Sequence, residues 1–186
     1  MTPQPASTVV LVRDTEGEPE ILLLLRNSTL VFNGGHWVFP GGKIDVGDYA
    51  AEDAHEYAAA CRAVVRETRE EAGIDISGES LIHIAHWTTP EGMSRRYSTW
   101  FFLCPLISSQ PVVVDQEEIL DFRWIAPGAA LEENRQGLIK LPFPTLKTLE
   151  RLLQFNNLEA ICEGMRKAEI HVFPEDSAFY TPYREG

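Results

Sequence analysis

The sequence contains few cysteines and has no long apolar run. Its three cysteines, Cys61, Cys104 and Cys162, are odd in number and fit neither the spacing of a zinc motif nor a disulfide framework. Each lies among apolar residues, so we expect buried free thiols and a reducing, cytoplasmic location. The longest apolar run, Ile21–Leu25, is too short to cross a bilayer, so we expect no membrane partner. The first basic residue is Arg13, and we therefore expect no signal peptide.

Basic residues are also scarce. The chain has 16 lysines and arginines against 28 aspartates and glutamates, which gives a formal net charge of -12 at pH 7. Proteins that bind the backbone of DNA or RNA are normally basic, so we expect no nucleic acid polymer as a partner. A small anionic substrate remains compatible with this charge if a divalent cation neutralises it locally. The 186 residues, 44% of them hydrophobic, are enough for a core, and we predict one domain over residues 1–186.

Several segments predict strands because they are rich in β-branched and aromatic residues. Ser7–Asp14 and Glu20–Asn27 are separated by the turn-like sequence TEGEP and predict a hairpin. Further strands are predicted at residues 81–89, 96–106 and 121–127. Strands interspersed with helices predict an α/β fold in which a mixed β-sheet carries helices on its faces.

Two segments predict helices. Residues 49–72 contain neither proline nor glycine, with Asp48 or Asp53 as possible start signals and Gly73 as a stop. Residues 145–167 carry leucines at helical spacing and predict one amphipathic helix.

The first predicted helix carries an unusual cluster of charge. The stretch CRAVVRETREEAGI (Cys61–Ile74) contains three arginines and three glutamates. Residues three and four apart share a helix face, so Glu67, Glu70 and Glu71 crowd one stripe and repel one another. A hard divalent cation such as Mg²⁺ would compensate that repulsion. Taken alone, such a stretch is more typical of a solvated helix surface.

A glycine-rich turn lies upstream of this helix. PGGKIDVGD (Pro40–Asp48) contains glycines that let the backbone approach a ligand or metal closely. Together with RETREEAGI (Arg66–Ile74) it resembles the Nudix hydrolase signature, in which a Gly, five residues, a Glu and seven residues precede Arg-Glu-apolar-x-Glu-Glu-x-Gly-apolar. The second half matches at every charged and glycine position, with Thr68 in place of the usual aliphatic residue.

The first half of the signature matches less well. It begins at Gly42, but Asp48 stands where a glutamate is expected. Seventeen residues then separate Asp48 from Arg66, instead of seven. We assign the additional residues to an inserted, helix-forming segment at about 49–60.

The resemblance implies a Nudix-type α/β/α sandwich that hydrolyses a nucleoside diphosphate linked to another moiety. Glu70 and Glu71 would bind Mg²⁺ or Mn²⁺, joined by the main-chain carbonyl of Gly41. Glu67 would be a further metal ligand or the base that deprotonates the attacking water. Arg66 would orient these glutamates through charge-assisted hydrogen bonds.

Many members of the family contribute one more acid from a loop before the last strand. Here VDQEEILDFRW offers Asp115, Glu117 and Glu118. We favour Glu118 as a metal ligand, with a solvated loop as the alternative.

The stretch before the glycines bears on the substrate. Coenzyme A diphosphatases of this family carry Leu-Leu-Thr-x-Arg-Ser, three residues, Arg, three residues, Gly, three residues and Phe-Pro-Gly-Gly. Leu22–Gly42 fits that pattern without a gap, and the match includes Arg26, a candidate substrate ligand. Asn27 replaces the Ser, and Val31 replaces the second Arg, a plausible phosphate contact. The resemblance therefore favours a coenzyme A-type substrate, and a simple core strand is the alternative.

Other features leave the substrate open. Pro90 lies sixteen residues after Ile74, as is common in ADP-ribose pyrophosphatases, so ADP-ribose or NADH is an alternative substrate. Arg95 and Arg96 are candidate phosphate ligands or an exposed loop pair. His36 is a candidate substrate ligand near the glycine turn or a structural hydrogen-bonding residue. Some Nudix domains bind nucleotides without cleaving them, but the complete set of glutamates favours catalysis here.

The end of the chain, AEIHVFPEDSAFYTPYREG (168–186), is predicted to be irregular. It carries aromatic residues, Phe173, Phe179, Tyr180 and Tyr183, whose apolar area is too large to leave in water on a small acidic protein. We predict that this tail packs on a second subunit in a homodimer, with folding back onto its own subunit as the alternative.

Overall fold

The computed structural model describes residues 2–50, 55–175 and 177. This part of the chain contains eight strands and four α-helices. The strands are β1 (Gln4–Arg13), β2 (Glu20–Arg26), β3 (Trp37–Val38), β4 (Gly41–Lys43), β5 (Ile82–Thr88), β6 (Tyr97–Leu106), β7 (Ile119–Ile125) and β8 (His171–Phe173). The helices are α1 (Glu56–Ala72), α2 (Pro127–Arg135), α3 (Phe143–Leu152) and α4 (Leu158–Lys167).

Strand β1 lies at the centre of the sheet. It pairs in parallel with β6 along its whole length. Its other edge pairs antiparallel with β2 near the end of β1 and with β4 near the beginning, where Thr8 lies opposite Gly41. The described strands follow the order β3-β2-β1-β6-β5-β8, and β7 pairs with β2. The predicted mixed sheet is confirmed, and β1 brings the glycine strand β4 to its centre.

Alternate residues of β1 face opposite sides of the sheet and enter two hydrophobic cores. Val9 and Leu11 pack in the core that contains the alanine-rich face of α1. Val10 and Val12 pack in the other core, which α2, α3 and α4 cover. Those helices contribute Ala130, Leu149, Leu152, Ile161 and Met165 to it. Helices thus cover both faces of the sheet, which confirms the predicted α/β/α sandwich.

The predicted strands are present, and the predicted hairpin forms between β1 and β2 with Val12 opposite Ile21. The next two predicted strands, β5 and β6, also pair antiparallel. The predicted strand at 121–127 corresponds to β7 and begins two residues earlier, at Ile119.

Helix α1 is shorter than the helix predicted at 49–72. Its N-cap is His55, and it ends at Gly73, which has a left-handed backbone with φ of 68°. Asp48 does not start it, because Val46–Asp48 form a separate 3-10 turn after which Tyr49 is extended. Asp53 lies outside the described residues. Within the inserted segment, only the part from Glu56 onward belongs to the described helix.

The single amphipathic helix predicted at 145–167 is wrong, because two helices occupy this region. Asn157 interrupts the segment: its Oδ1 accepts the N–H of Ala160 at 2.8 Å and caps the start of α4. Phe155 lies in the intervening turn and packs so closely on Gly164 that a Cβ there would collide with its ring. The leucine spacing did not reveal this break, whereas an asparagine followed by a helical pattern is an N-cap signal.

Several elements were not predicted, among them strand β4, which lies where the sequence predicted a glycine-rich turn. Helix α2 starts with Pro127 at its first position, a common place for proline, and good helix formers follow from Ala129 onward. Strand β8 lies in the segment predicted to be irregular, and it pairs in parallel with β5. Its three residues give too little local pattern for prediction.

The three cysteines are free thiols, with Cys104 and Cys162 buried and Cys61 partly buried. Burial raises the pKa of Cys61 and Cys104 to about 11, so these two thiols are protonated at neutral pH. Among the described helices, none combines the length and apolar character needed to cross a membrane.

Candidate active site

The glycine strand β4 meets the end of α1 at one hydrogen bond. The N–H of Gly41 donates to Oε2 of Glu71 at 2.9 Å. Gly41 has φ of 151°, and a Cβ there would collide with the backbone of Ser7 in β1. A Cβ on Gly42 would collide with the carboxylate of Glu67. Glycine at both positions therefore allows β4 to lie between β1 and the glutamates.

Glu71 is the most buried of these glutamates, with 5% of its surface exposed. Its pKa is raised to about 8, mainly by burial and in smaller part by the nearby charges of Glu67 and Glu118. The hydrogen bond from Gly41 and the positive charge of Arg26 oppose that shift. The site therefore holds a carboxylate whose ionised form is short of positive partners.

Glu67 is also largely buried, and burial raises its pKa above the usual range of a glutamate. The hydrogen bond and the charge of Arg66 oppose the shift, whereas the charges of Glu70 and Asp45 add to it. A carboxyl group whose pKa is raised towards neutrality is better suited to accept a proton from water.

Arg66 connects the acids on α1 with the turn before the inserted segment. Its Nη1 donates to Oε1 of Glu67 at 2.9 Å and to Oε2 of Glu70 at 3.0 Å. Its Nη2 donates to Oδ2 of Asp48 at 2.9 Å and to the carbonyl oxygen of Lys43 at 3.2 Å. These hydrogen bonds raise the pKa of Arg66 further above its usual value, so the guanidinium remains charged and orients the acids around it.

The buried carboxylate of Asp48 completes this network. Burial raises its pKa, but hydrogen bonds from Arg66 and from the N–H of Asp45, together with the charge of Arg66, outweigh burial, so the pKa is lowered overall. The residue that replaces the expected glutamate is therefore ionised and paired at neutral pH.

Arg26 lies between Glu71 and Glu118. Its Nη1 is 3.8 Å from Oε1 of Glu71, and its Nη2 is 3.5 Å from Oε2 of Glu118. The side chain is only 18% exposed, and its Nε is buried without a hydrogen-bond acceptor among the described residues. The β2–β7 pairing has a bulge at Leu25 and Arg26, where this arginine meets the site.

The structure separates the three acids of the loop before β7. Glu118 is linked to Glu71 by Arg26, whose guanidinium lies near both carboxylates. The Oδ1 of Asp115 instead accepts three backbone N–H groups, from Glu117, Glu118 and Ile119. Glu117 takes part through its backbone carbonyl, which accepts a hydrogen bond from Asn27 at 3.0 Å.

The other predicted substrate ligands lie apart from the glutamates. The Nδ1 of His36 lies 3.2 Å from the carbonyl oxygen of Gly34, within its own loop. The Nε of Arg96 donates to the carbonyl oxygen of Thr89 at 3.0 Å, and Arg95 is exposed in the loop between β5 and β6. Within the described part of the chain, none of the three has a hydrogen bond or an ion pair with the glutamates, so their binding roles stay predictions.

The donors at the site suit a hard divalent cation. The carboxylates of Glu67, Glu71 and Glu118 and the carbonyl of Gly41 provide oxygen ligands of the kind that Mg²⁺ prefers. Burial chiefly raises the pKa of Glu71, and a cation beside this carboxyl group would stabilise its ionised form. Over residues 2–50, 55–175 and 177, however, no three acidic, histidine or cysteine side chains already form a metal-binding group. The metal ligands therefore stay predictions.

Sequence reasoning named Asn27 and Asp115 but did not predict their structural roles at the site. Asn27 and Asp115 hold the loop of Glu118 through hydrogen bonds to its backbone. Aspartate and asparagine commonly bond backbone N–H groups two residues onward, so the sequence DQEE contained a turn signal. The contact of Arg26 with Glu118 had no local signal, since it depends on the pairing of β2 with β7.

Comparisons with known proteins match this chain over most of its length. The family model described as NUDIX domain matches residues 2–143. The chain is 25% identical to putative nudix hydrolase 7 of Caenorhabditis elegans over 91% of this chain and 67% of that protein. It is 38% identical to the human acyl-coenzyme A diphosphatase NUDT19 over 42% of this chain, a match that spans 22% of that protein.

Among solved structures, the crystal structure of a NUDIX hydrolase from Alicyclobacillus acidocaldarius matches with a TM-score of 0.77. The match covers 88% of this chain and 96% of that one. At 20% sequence identity, it shows that the two proteins share a fold.

Proposed function

The chain belongs to the Nudix family of hydrolases, and from that premise we propose that it uses Mg²⁺ or Mn²⁺ to cleave the diphosphate of a coenzyme A-type substrate. The observation that carries the proposal is the hydrogen bond between Gly41 and Glu71. It joins the glycine turn to the glutamates of α1, the two halves of the pattern that such chemistry requires.

Hydrolysis of a diphosphate places the oxygen of water on one phosphorus and breaks the bond from that phosphorus to the bridging oxygen. The bridging oxygen leaves with the second phosphorus, and two phosphate monoesters result. A bound divalent cation would supply neutralisation of phosphoryl charge and a lower pKa for water.

The residues of the chain have separate tasks in this reaction. Arg66 holds Oε1 of Glu67, which leaves Oε2 to accept the proton of the attacking water. The backbone of Gly41 fixes Glu71 in its buried position. Glu71, Glu70, Glu118 and the carbonyl of Gly41 would hold the cation. Glu67 would act as the base or as a further ligand.

Two observations support a coenzyme A-type substrate. One is the gapless match of Leu22–Gly42 to the coenzyme A diphosphatase pattern. The other is the local similarity to the human acyl-coenzyme A diphosphatase. Arg26 lies beside the glutamates, and its Nε has no acceptor in the part of the chain that the structure describes, so a phosphate oxygen would satisfy it. Val31, at the position of the motif's second arginine, is 75% exposed and provides no charge for a phosphate.

A substrate screen tests the proposal. Purified protein with Mg²⁺ or Mn²⁺ is incubated with coenzyme A, an acyl-coenzyme A, ADP-ribose, NADH and dinucleoside polyphosphates. A coupled phosphatase releases phosphate from the products, and the phosphate that it releases from each substrate without the protein is subtracted. We expect the largest kcat/KM for coenzyme A or its acyl derivative. A kcat/KM for ADP-ribose ten times higher would reject the coenzyme A assignment. Tight binding without turnover would instead favour a sensor.

The cellular setting is also a proposal. Three free thiols are compatible with a reducing compartment, and we propose a cytoplasmic location for the protein.

A further inference from the structure

The turn that precedes β7 is built around one carboxylate oxygen. Oδ1 of Asp115 accepts the backbone N–H groups of Glu117, Glu118 and Ile119 at 2.6, 2.9 and 3.0 Å. Within the turn, Gln116 has φ of 64°, and its N–H donates to the carbonyl oxygen of Ile119 at 3.0 Å. A non-glycine residue with positive φ persists when surrounding contacts fix it. The three hydrogen bonds to Asp115 provide that restraint.

Two residues at the end of β2 fasten this turn beside the glutamates. The N–H of Asn27 donates to the carbonyl oxygen of Glu118 at 2.8 Å, and its Nδ2 donates to the carbonyl oxygen of Glu117 at 3.0 Å. Arg26 then bridges the carboxylates of Glu118 and Glu71 at 3.5 and 3.8 Å. The backbone of Glu118 is therefore fixed from both sides, while its carboxylate is 59% exposed and faces the buried Glu71.

The structure assigns Asp115 as a positioning residue, an inference that rests on the proposed function. Asp115 holds the turn so that Glu118 reaches the same cation as Glu71, and Asp115 does not bind that cation itself. Three N–H dipoles point at its Oδ1, and a cation on that oxygen would face their positive ends. The role depends on an acceptor oxygen and only secondarily on charge.

This distinction can be measured by Mn²⁺ binding, with free Mn²⁺ detected by electron paramagnetic resonance. The full-length variants are Asp115→Ala, Asp115→Asn, Glu118→Gln and the double variant Asp115→Ala/Glu118→Gln. The matched control is Asp121→Ala, because Oδ1 of Asp121 accepts only the N–H of Phe122 among the described residues. Far-ultraviolet circular dichroism and metal-free melting identify any variant that fails to fold.

We expect Asp115→Ala to weaken Mn²⁺ binding about tenfold, as outer-shell partners of metal ligands commonly do. Asp115→Asn keeps an acceptor oxygen and should stay within about twofold to threefold of the wild type. The double variant should be no weaker than Glu118→Gln, because Asp115 acts through Glu118. Asp121→Ala should bind Mn²⁺ like the wild type.

Either of the following results would overturn the inference, as would the unchanged affinity described below. If Asp115→Asn loses as much affinity as Asp115→Ala, the charge matters and Asp115 is itself a ligand. If the losses from Asp115→Ala and Glu118→Gln add, the two residues act independently. If Asp115→Ala unfolds, Asn27→Ala takes its place in the test. It removes the hydrogen bond from Nδ2 of Asn27 to the carbonyl oxygen of Glu117 and should weaken Mn²⁺ binding in the same way.

Failure of the proposed function has a different signature. Wild-type protein that binds no Mn²⁺ and cleaves none of the diphosphates would reject the function itself. Wild-type protein that binds Mn²⁺, with unchanged affinity in Asp115→Ala and Asn27→Ala, would reject only the positioning role.

Discussion

Arg66 and Asp48 form a two-point ion pair although seventeen residues separate them in the chain. Nη2 and Nε of Arg66 donate to Oδ2 and Oδ1 of Asp48 at 2.9 and 3.2 Å. The same guanidinium donates to Glu67 and Glu70. The turn before the inserted residues and the helix after them thus meet at one side chain. A longer connection between two anchored ends costs little additional entropy, which explains why the insertion leaves this contact intact.

We predict that Arg66→Lys lowers kcat by about tenfold or more, because an ammonium cannot form the planar, two-point contact of a guanidinium. The melting temperature should fall as well, since buried Asp48 loses part of its pairing. Steady-state kinetics and thermal melting measure both effects. Arg69→Lys is the matched control, because Arg69 is exposed and, among the described residues, its side chain pairs only with Asp75 at 3.4 Å. A wild-type kcat in Arg66→Lys would show that the network does not orient the acids.

Local sequence signals accounted for most of the fold. Gly73 predicted the end of α1 because a left-handed residue at that position favours glycine, and it has φ of 68°. The break between α3 and α4 was missed because leucine spacing continues across it, while the cap at Asn157 decides where α4 begins. Strand β8 forms only because β5 provides an edge for it.

The candidate site was predictable to a similar extent. The charge pattern around Arg66 was readable because its partners share one helix face. The contacts of Arg26 could not be predicted from the sequence, because Arg26 and Glu118 lie 92 residues apart in the chain and meet only when β2 pairs with β7. The different positions of the loop acids likewise required the turn at Asp115, whose Oδ1 accepts three backbone N–H groups.

We predict that hydrolysis requires Mg²⁺ or Mn²⁺. A phosphate must bind beside the carboxyl groups of Glu67, Glu71 and Glu118, and the protein as a whole has a net charge of -12. Treatment with EDTA followed by desalting should abolish phosphate release, and added Mg²⁺ should restore it. Full turnover by the EDTA-treated protein would contradict this requirement.

We predict that Glu71→Gln loses most of kcat but keeps the fold. The amide oxygen of glutamine can still accept the N–H of Gly41, while the charge needed for a cation is gone. In metal-free buffer the melting temperature should hold or rise, because removing the charge relieves repulsion with Glu67. Glu70→Gln should also lower kcat, but with little change in metal-free stability, since Glu70 is largely exposed.

The effect of Glu71→Gln should depend on pH. Folding raises the pKa of Glu71 from 4.5 to about 8. Between pH 4.5 and pH 8 the folded protein therefore binds more protons at this group than the unfolded chain does. The free energy of unfolding of the metal-free wild type therefore falls, through this group, as the pH rises from 4.5 to 8. Glu71→Gln removes this dependence, and its advantage in melting temperature should grow from pH 5 to pH 8. An advantage that shrinks with rising pH would mean that Glu71 is stabilised as an anion.

We predict that Val31→Arg raises kcat/KM for coenzyme A by a few-fold. The substitution restores the arginine of the coenzyme A diphosphatase pattern, and the 75% exposure of Val31 provides room for it. A new phosphate contact of this kind is worth roughly 1 kcal/mol at an exposed site, which is about fivefold. Val46→Arg is the control. Val46 is 90% exposed, and the substitution adds the same charge at a different place. An equal gain in both variants would indicate a general charge effect.

The last prediction concerns the tail, whose aromatic residues Phe179, Tyr180 and Tyr183 lie outside the described residues. Two partly exposed rings lie close together before this tail begins. Phe173 and Phe143 are 36% and 53% exposed, and their ring centroids are 6.2 Å apart. Apolar area of this kind is commonly covered at a subunit interface.

We predict that the tail contributes to a homodimer. Sedimentation tests this by comparing the oligomeric state of the full-length chain with that of a chain ending at Ser177. Ending the chain there keeps β8 on β5 and the hydrogen bond of 2.7 Å between Ser177 and Thr88. The full-length protein should sediment as a dimer and the shortened one as a monomer. The full-length variant Tyr180→Ser/Tyr183→Ser serves as a second test that preserves chain length, and it should also favour the monomer. If all three proteins sediment as the same species, the tail is not the dimer contact and covers its own subunit instead.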